Sequence, residues 1–327
     1  MAEPNAILAI NSLDRYSYSS GNSQATFGDA LISQYNNTGQ PCNNFIIQSP
    51  GALIYGYIKK IQVSQTQLEY NVPTIIPDRN DGLWISNGFQ PDFVTLPFGF
   101  YTPTELAAGL NVILNTTNVG ILCGGITVTY SPEDGFTFIS AGTGIHPQIA
   151  FPTLTEIEEL TGDVLNYDAV QNALRTYRLL GIDINNSYLS LTQKSVNVPI
   201  FLYTPYVDIC SETLTKYQKV KDTNTAPQKL STIISRIYLS GTGPPQPLSA
   251  TQYADPIGCF PFVITQDMSY CKTIRWSKDE AVNSLDFKLY DQYGELLFTS
   301  TSIGTANKDT YYTEFQMTLM CIEGEKG

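Results

Sequence analysis

Histidine is nearly missing: the 327 residues contain one, His146. That excludes any site built on two imidazole ligands and most common structural zinc patterns. A Ser-His-Asp or Cys-His arrangement would have to run through His146. It stands in the run Gly142 to Pro147 (Gly-Thr-Gly-Ile-His-Pro), where a solvated or locally hydrogen-bonded loop imidazole is the plain expectation. The sequence has no G-x-S-x-G, no P-loop and no dinucleotide-binding glycine pattern. Charge is scarce as well, at 15% of residues against about 25% in ordinary soluble domains. The six cysteines, at 42, 123, 210, 259, 271 and 321, form no C-x-x-C pair. The opening residues MAEPNAILAINSLDRY lack the basic region and long apolar core of a secretory signal. Free, mostly buried thiols in a reducing compartment are therefore expected. Without a secretory route, the glycosylation patterns at Asn36, Asn115 and Asn185 stay formal matches. Residues 106–132 carry no charge, yet Asn111, Asn115 and Asn118 stand among them with several Gly and Thr. Those polar groups would be costly in hydrocarbon, so no membrane span is expected.

Tyr, Thr, Ser, Asn and Gln fill the space that charge leaves. Such a surface is easy to bury against partners, because few charges must be desolvated; a Tyr-rich extracellular-type sandwich is the plainer account of the same composition. Net charge is −12, from 18 basic and 30 acidic residues, which argues against specific nucleic-acid recognition. Lys216, Lys219, Lys221 and Lys229 are a local exception; they read either as a contact for phosphate or an acidic neighbour, or as a solvated loop. The aromatics number 21 Tyr, 15 Phe and 2 Trp, with no Arg-interleaved stacking array of the kind that binds single strands. Trp84 and Trp276 fall in strand candidates and are expected in cores, while part of the Tyr set suits subunit interfaces.

Strand signals dominate. Leu285, Phe287 and Leu289 alternate with Asp286 and Lys288, and Phe315, Met317, Leu319 and Cys321 alternate with Glu314, Gln316 and Thr318. Ile126, Val128 and Tyr130 run through Ser-Pro-Glu-Asp-Gly into Phe136 and Phe138, a hairpin pattern. Further strands are expected at 44–48, 57–69, 82–86, 92–96, 198–203, 206–210, 230–239, 261–266, 272–276 and 295–299. Helices concentrate in one stretch. Thr102-Pro103-Thr104-Glu105 reads as a capping box ahead of Leu106, Leu110, Ile113 and Leu114. Thr155-Glu156-Ile157-Glu158 reads as a second, and a third helix is expected over 167–180, with Val170, Ala173, Leu174 and Tyr177 on one face and Gly181 as its stop. The organisation this predicts is mainly β: an N-terminal arm over 1–40, a β-sandwich over 41–75 and 186–327, and a smaller α+β module inserted over 76–185.

No residue earns a catalytic, cofactor-binding or metal-binding assignment. Glu156, Glu158, Glu159 and Asp163 are explained by helix capping and the helix dipole; a general acid/base pair or a carboxylate metal site would need a convergent pocket that sequence does not show. Asp291-Gln292-Tyr293-Gly294-Glu295 reads as a hairpin turn.

Four segments, in order, carry a resemblance: Ile10-Asn11-Ser12-Leu13-Asp14-Arg15; Leu96 to Thr102 (Leu-Pro-Phe-Gly-Phe-Tyr-Thr) leading into a helix; Tyr206 to Ser211 with Leu214 to Gln218 and Lys221-Asp222-Thr223; and Arg275-Trp276 with Leu285-Asp286, Leu289 to Gly294 and Thr313 to Gln316. Together the chain resembles the penton and minor capsid proteins of virophages, polinton-like viruses and nucleocytoplasmic large DNA viruses. The resemblance implies a single jelly roll, a homopentamer at the icosahedral vertex of a virion assembled in the host cytoplasm or a viral factory, and as partners the double jelly-roll major capsid protein and other minor capsid proteins. It implies no enzymatic role and no cofactor. Two other readings compete: a viral adhesin or glycan-binding head whose site lies on the insert, and a carboxylate-based β-sandwich hydrolase.

Overall fold

The computed structural model describes residues 6–11, 43–48, 52–54, 58–161, 167–216, 232–239, 258–267, 273–275, 281–298 and 315–323. Contacts divide the chain into two units, one drawn from Met1–Val72, Thr204–Pro244 and Pro261–Gly327, the other from Pro73–Tyr203 and Pro245–Phe260.

The first unit is built on strands β1 (Ala6–Asn11), β2 (Asn44–Gln48), β3 (Ile58–Tyr70), β9 (Tyr206–Cys210), β10 (Ile233–Tyr238), β11 (Phe262–Asp267), β12 (Thr273–Arg275), β13 (Ser284–Tyr290) and β14 (Phe315–Glu323). They pair antiparallel into two sheets. One runs β1-β14-β3-β11, with β12 beside the lower half of β3; the other runs β10-β9-β13-β2. Setting aside short β12, eight strands follow the order 1-8-3-6 and 5-4-7-2 in the two sheets. That order defines a jelly roll. The fold is thus a mainly β, single jelly roll; Pro73–Tyr203 of the second unit enters between its third and fourth strands, β3 and β9, and Pro245–Phe260 between β10 and β11.

The alternating sequence patterns place the core. Leu285, Phe287 and Leu289 are buried from one sheet, and Phe315, Met317, Leu319 and Cys321 from the other. The sheets meet at an aromatic cluster: the Phe315 ring lies 5.6 Å from Phe45 and 5.9 Å from Phe287. β3 changes phase partway: Ile61 and Val63 face inward, then Thr66, Leu68 and Tyr70. A register shift against Thr318 and Leu319 accommodates the change. The extra residue, Ser64, donates its hydroxyl to the Thr318 carbonyl at 3.1 Å, as a β-bulge requires. Ala6–Asn11, within the stretch read as an arm, pairs with β14; residues 12–40 lie outside the described set, as do Trp276, Cys42 and Cys271.

Two segments of the resemblance meet in this unit. Asp286 accepts from the backbone N–H of Glu212 (2.9 Å) and Thr213 (2.8 Å) and from the Ser211 hydroxyl (3.2 Å), seating a single helical turn, Glu212–Thr215. Burial works to raise the Asp286 pKa, but these hydrogen bonds prevail and hold it below the ordinary carboxylate value. Asp291 closes the next turn. Its buried carboxylate accepts from the N–H of Tyr293 and Glu295, and Gly294 adopts φ +73°. Of the strand expected at 295–299, the described residues 295–298 show only one bridge, Tyr290 with Leu296.

In the second unit, β4 (Gly82–Ser86) and β5 (Pro91–Thr95) form a hairpin, and β6 (Ile126–Ser131), β7 (Gly135–Ser140) and β8 (Thr192–Lys194) form a three-stranded sheet. Four helices, α1 (Pro103–Leu114), α2 (Asn118–Leu122), α3 (Leu154–Thr161) and α4 (Tyr167–Leu180), complete it. Its core includes Leu110, Leu114, Phe136, Phe138, Phe151, Tyr177, Phe201 and Cys259. The Thr102–Glu105 capping box forms as the sequence predicts. The second box is shifted two residues. Thr153, not Thr155, caps α3: the Thr153 N–H donates to Glu156 Oε2 at 2.6 Å, and the Glu156 N–H to the Thr153 hydroxyl at 3.2 Å. Thr153-Leu154-Thr155-Glu156 spells the same box, and starting there puts Leu154 inside the helix, packed against the core. α4 ends at Gly181, φ +71°.

The unit extends past residue 185, because β8 pairs with β7 and the N–H groups of Val196 and Asn197 both donate to the Gly181 carbonyl. No strand forms over 198–203. The segment joins no ladder among the described residues. No helix among the described residues is long and apolar enough to cross a membrane.

Candidate functional site: a cleft and an apolar stripe on the second unit

The hairpin β4–β5 turns through Asn87-Gly88-Phe89-Gln90. The Asn87 side-chain oxygen accepts from the N–H of Phe89 (3.0 Å) and Gln90 (2.9 Å), an Asx arrangement that needs no partner elsewhere. Gly88 takes φ +77°, and a Cβ there would stand 2.6 Å from Leu189 Cδ1; glycine lets Leu189 lie against the turn. Two backbone bridges bind three segments together: Ser86 with Ala150, and Ile149 with Ser190. The Gln193 side-chain amide, buried, donates to the carbonyls of Ile149 (2.9 Å) and Tyr188 (2.5 Å). From below, the Tyr177 hydroxyl lies 2.9 Å from the Pro152 carbonyl and 3.2 Å from that of Trp84. Burial, with the Glu156 charge adding to it, drives the Tyr177 pKa far up, so the phenol stays neutral.

These segments enclose a cleft of 530 Å³, lined by Ser86, Phe89, Gln90, Glu156, Glu159, Leu160, Ser187, Tyr188 and neighbours. The Phe89 ring is 71% exposed and Tyr188 52%. Phe89 stacks on His146, centroids 4.9 Å apart and planes within 5°. The lone histidine is thus a half-buried support for an aromatic ring. Glu156 and Glu159 reach the cleft, and Glu158 stands half-buried on the same helix; Asp163 lies outside the described residues. One oxygen of Glu156 is held by Thr153 in the capping box. Both cleft carboxylates rise from one helical turn, so they approach a ligand from the same side, whereas an acid/base pair must flank the bond it breaks. The arrangement is suited to recognition. Sequence reasoning singled out His146 and the glutamates but missed Phe89 and Tyr188; the available signal was a large apolar residue directly after Asn-Gly in a turn between two strand candidates.

A second surface lies on the segment after β8, which bends at Val196 and Asn197. Val196 (62%), Val198 (82%) and Ile200 are exposed along it, as is Leu191 just before β8. Of the lysine cluster, Lys216 is exposed and Lys219, Lys221 and Lys229 fall outside the described residues. Cys123, Cys210, Cys259 and Cys321 are buried thiols outside any disulfide. Among the described residues, no group of three or more His, Cys, Asp or Glu side chains is placed to hold a metal ion.

No protein-family model matches the sequence, and no curated protein matches it. Solved structures with some similarity include the mavirus penton protein, 10% identical, with a TM-score of 0.48 over 98% of this chain and 100% of that one. A chain of the Sputnik virophage structure determined by cryo-electron microscopy is 11% identical, with a TM-score of 0.44 over 96% of this chain and 97% of that one.

Proposed function

We propose that the chain is a structural capsid protein that assembles as a homopentamer at an icosahedral vertex, beside a double jelly-roll major capsid protein and other minor capsid proteins. The observation that carries this reading is the apolar stripe Val196, Val198 and Ile200. All three are large apolar residues exposed to solvent on a segment that joins no ladder among the described residues. Large apolar residues exposed this close together in the chain suit an interface that covers them. The sequence segments resembling vertex proteins and the jelly-roll strand order support the same reading. A ring of five copies uses one heterologous contact repeated until it closes, and the low surface charge keeps the desolvation of that contact cheap.

Mass photometry of the purified protein tests it. Pentamers are expected at micromolar concentration, and Val198→Asp is expected to shift them to monomers while leaving the thermal midpoint of the monomer unchanged. A wild-type protein that stays monomeric, both alone and when mixed with the major capsid protein, would overturn the reading. So would pentamers that Val198→Asp leaves intact.

A further inference from the structure

The cleft between the β4–β5 turn, α3 and residues 187–189 shares no lining residue with the stripe, and its lining comes from one chain. Its walls are fixed by the two backbone bridges, the Gln193 amide and the Tyr177 hydroxyl. Its volume of 530 Å³ falls within the range of small-molecule sites, about 300–1,000 Å³. We propose that it binds an uncharged saccharide, a terminal hexose or N-acetylhexosamine.

Three features select that chemistry. The rings of Phe89 and Tyr188 stand largely exposed at the cleft, and a pyranose presents an apolar C–H face of matching size to such a ring. The polar lining mixes acceptors with donors: Glu156 and Glu159 can only accept, while the Gln90 amide and the Ser187 hydroxyl also donate. Sugar hydroxyls donate and accept, so they satisfy both kinds. A quaternary ammonium would please the rings and carboxylates but would leave the Gln90 and Ser187 donors without a partner. Finally, the lining contains two carboxylates and no Lys or Arg, so sialylated or sulfated sugars meet like charge.

The test uses the full chain. Saturation-transfer NMR and calorimetry are run with lactose, maltose, N,N′-diacetylchitobiose, sialyllactose and phosphocholine. At least one neutral disaccharide is expected to bind at millimolar concentration, and sialyllactose no better than lactose. Phe89→Ala and Tyr188→Ala, both surface positions, are each expected to weaken binding about ten-fold, the worth of one aromatic contact. Thermal unfolding of each variant shows that the fold is kept. The proposal is overturned if no neutral disaccharide binds, if sialyllactose or phosphocholine binds in their place, or if the folded double variant binds as well as the wild type.

Discussion

Asn111 on α1 and Val128 on β6 exchange two hydrogen bonds: the Asn111 amide donates to the Val128 carbonyl at 2.7 Å, and the Val128 N–H donates to the Asn111 side-chain oxygen at 2.6 Å. One helical turn on, Asn115 repeats the exchange with Ile126, at 2.8 Å in each direction. Side-chain amides four residues apart thus complete the open edge of β6 as a neighbouring strand would. Two of the three asparagines that argued against a membrane span join helix to sheet. Asn111→Asp keeps the acceptor, loses the donor and sets a charge against two carbonyls. It is expected to cost about 2 kcal/mol, read as a lower urea midpoint.

Asp208 and Arg236 give an asymmetric pair. Nε to Oδ1 is 2.6 Å and Nη2 to Oδ2 is 2.8 Å. The carboxylate is fully buried, while the guanidinium is a third exposed and lies 3.9 Å from the centre of the Tyr206 ring. Hydrogen bonding to Asp208 keeps Arg236 firmly charged. Removing Arg236 strands a buried charge, whereas removing Asp208 leaves an arginine that water can reach. Arg236→Ala is therefore expected to cost about 3–5 kcal/mol and Asp208→Asn about 2 kcal/mol. Equal losses in chemical denaturation would contradict this account.

Asp286 makes stability depend on acid. Its folded pKa lies below the unfolded value, so its contribution is complete above the ordinary carboxylate range and disappears as pH falls through the folded pKa. Asp286→Asn is expected to lower the thermal midpoint at neutral pH, and the gap from wild type should close below about pH 4. Midpoints measured from neutral pH down to pH 3 check the sign.

Strands were legible where a single face repeats. β13 and β14 alternate without interruption and sit where their patterns put them. β3 also declares its bulge, since the apolar phase moves from Ile61 and Val63 to Leu68 and Tyr70. Strand order was not legible locally, because it depends on pairings such as Ile10 with Met317, remote in sequence; the jelly roll was reached through resembling segments. The Thr153 cap was misplaced because Thr153 and Thr155 spell equivalent boxes and packing of Leu154 decides between them. The cleft was hidden for a related reason. Ser86, Ala150 and Ser190 are brought together only by bridges that no periodicity announces. The extension of the second unit to Tyr203 rests on Gly181, whose carbonyl gathers two amides from a segment that reads as a strand.

The core of the second unit includes residues that the ribosome adds late. The Thr74 hydroxyl donates to the Gly258 carbonyl at 3.1 Å, and Cys259 is buried beside residues made long before it. Between Tyr203 and Gly258 the chain lays down β9 and β10, which belong to the jelly roll. Synthesis therefore alternates between the two units, and neither matches the usual order in which an earlier domain closes before the next begins. A fragment cut at residues 73–203 would carry an unfilled site where Cys259 belongs, and nascent chains stalled before residue 259 should stay open to protease in a region whose sequence is otherwise already present.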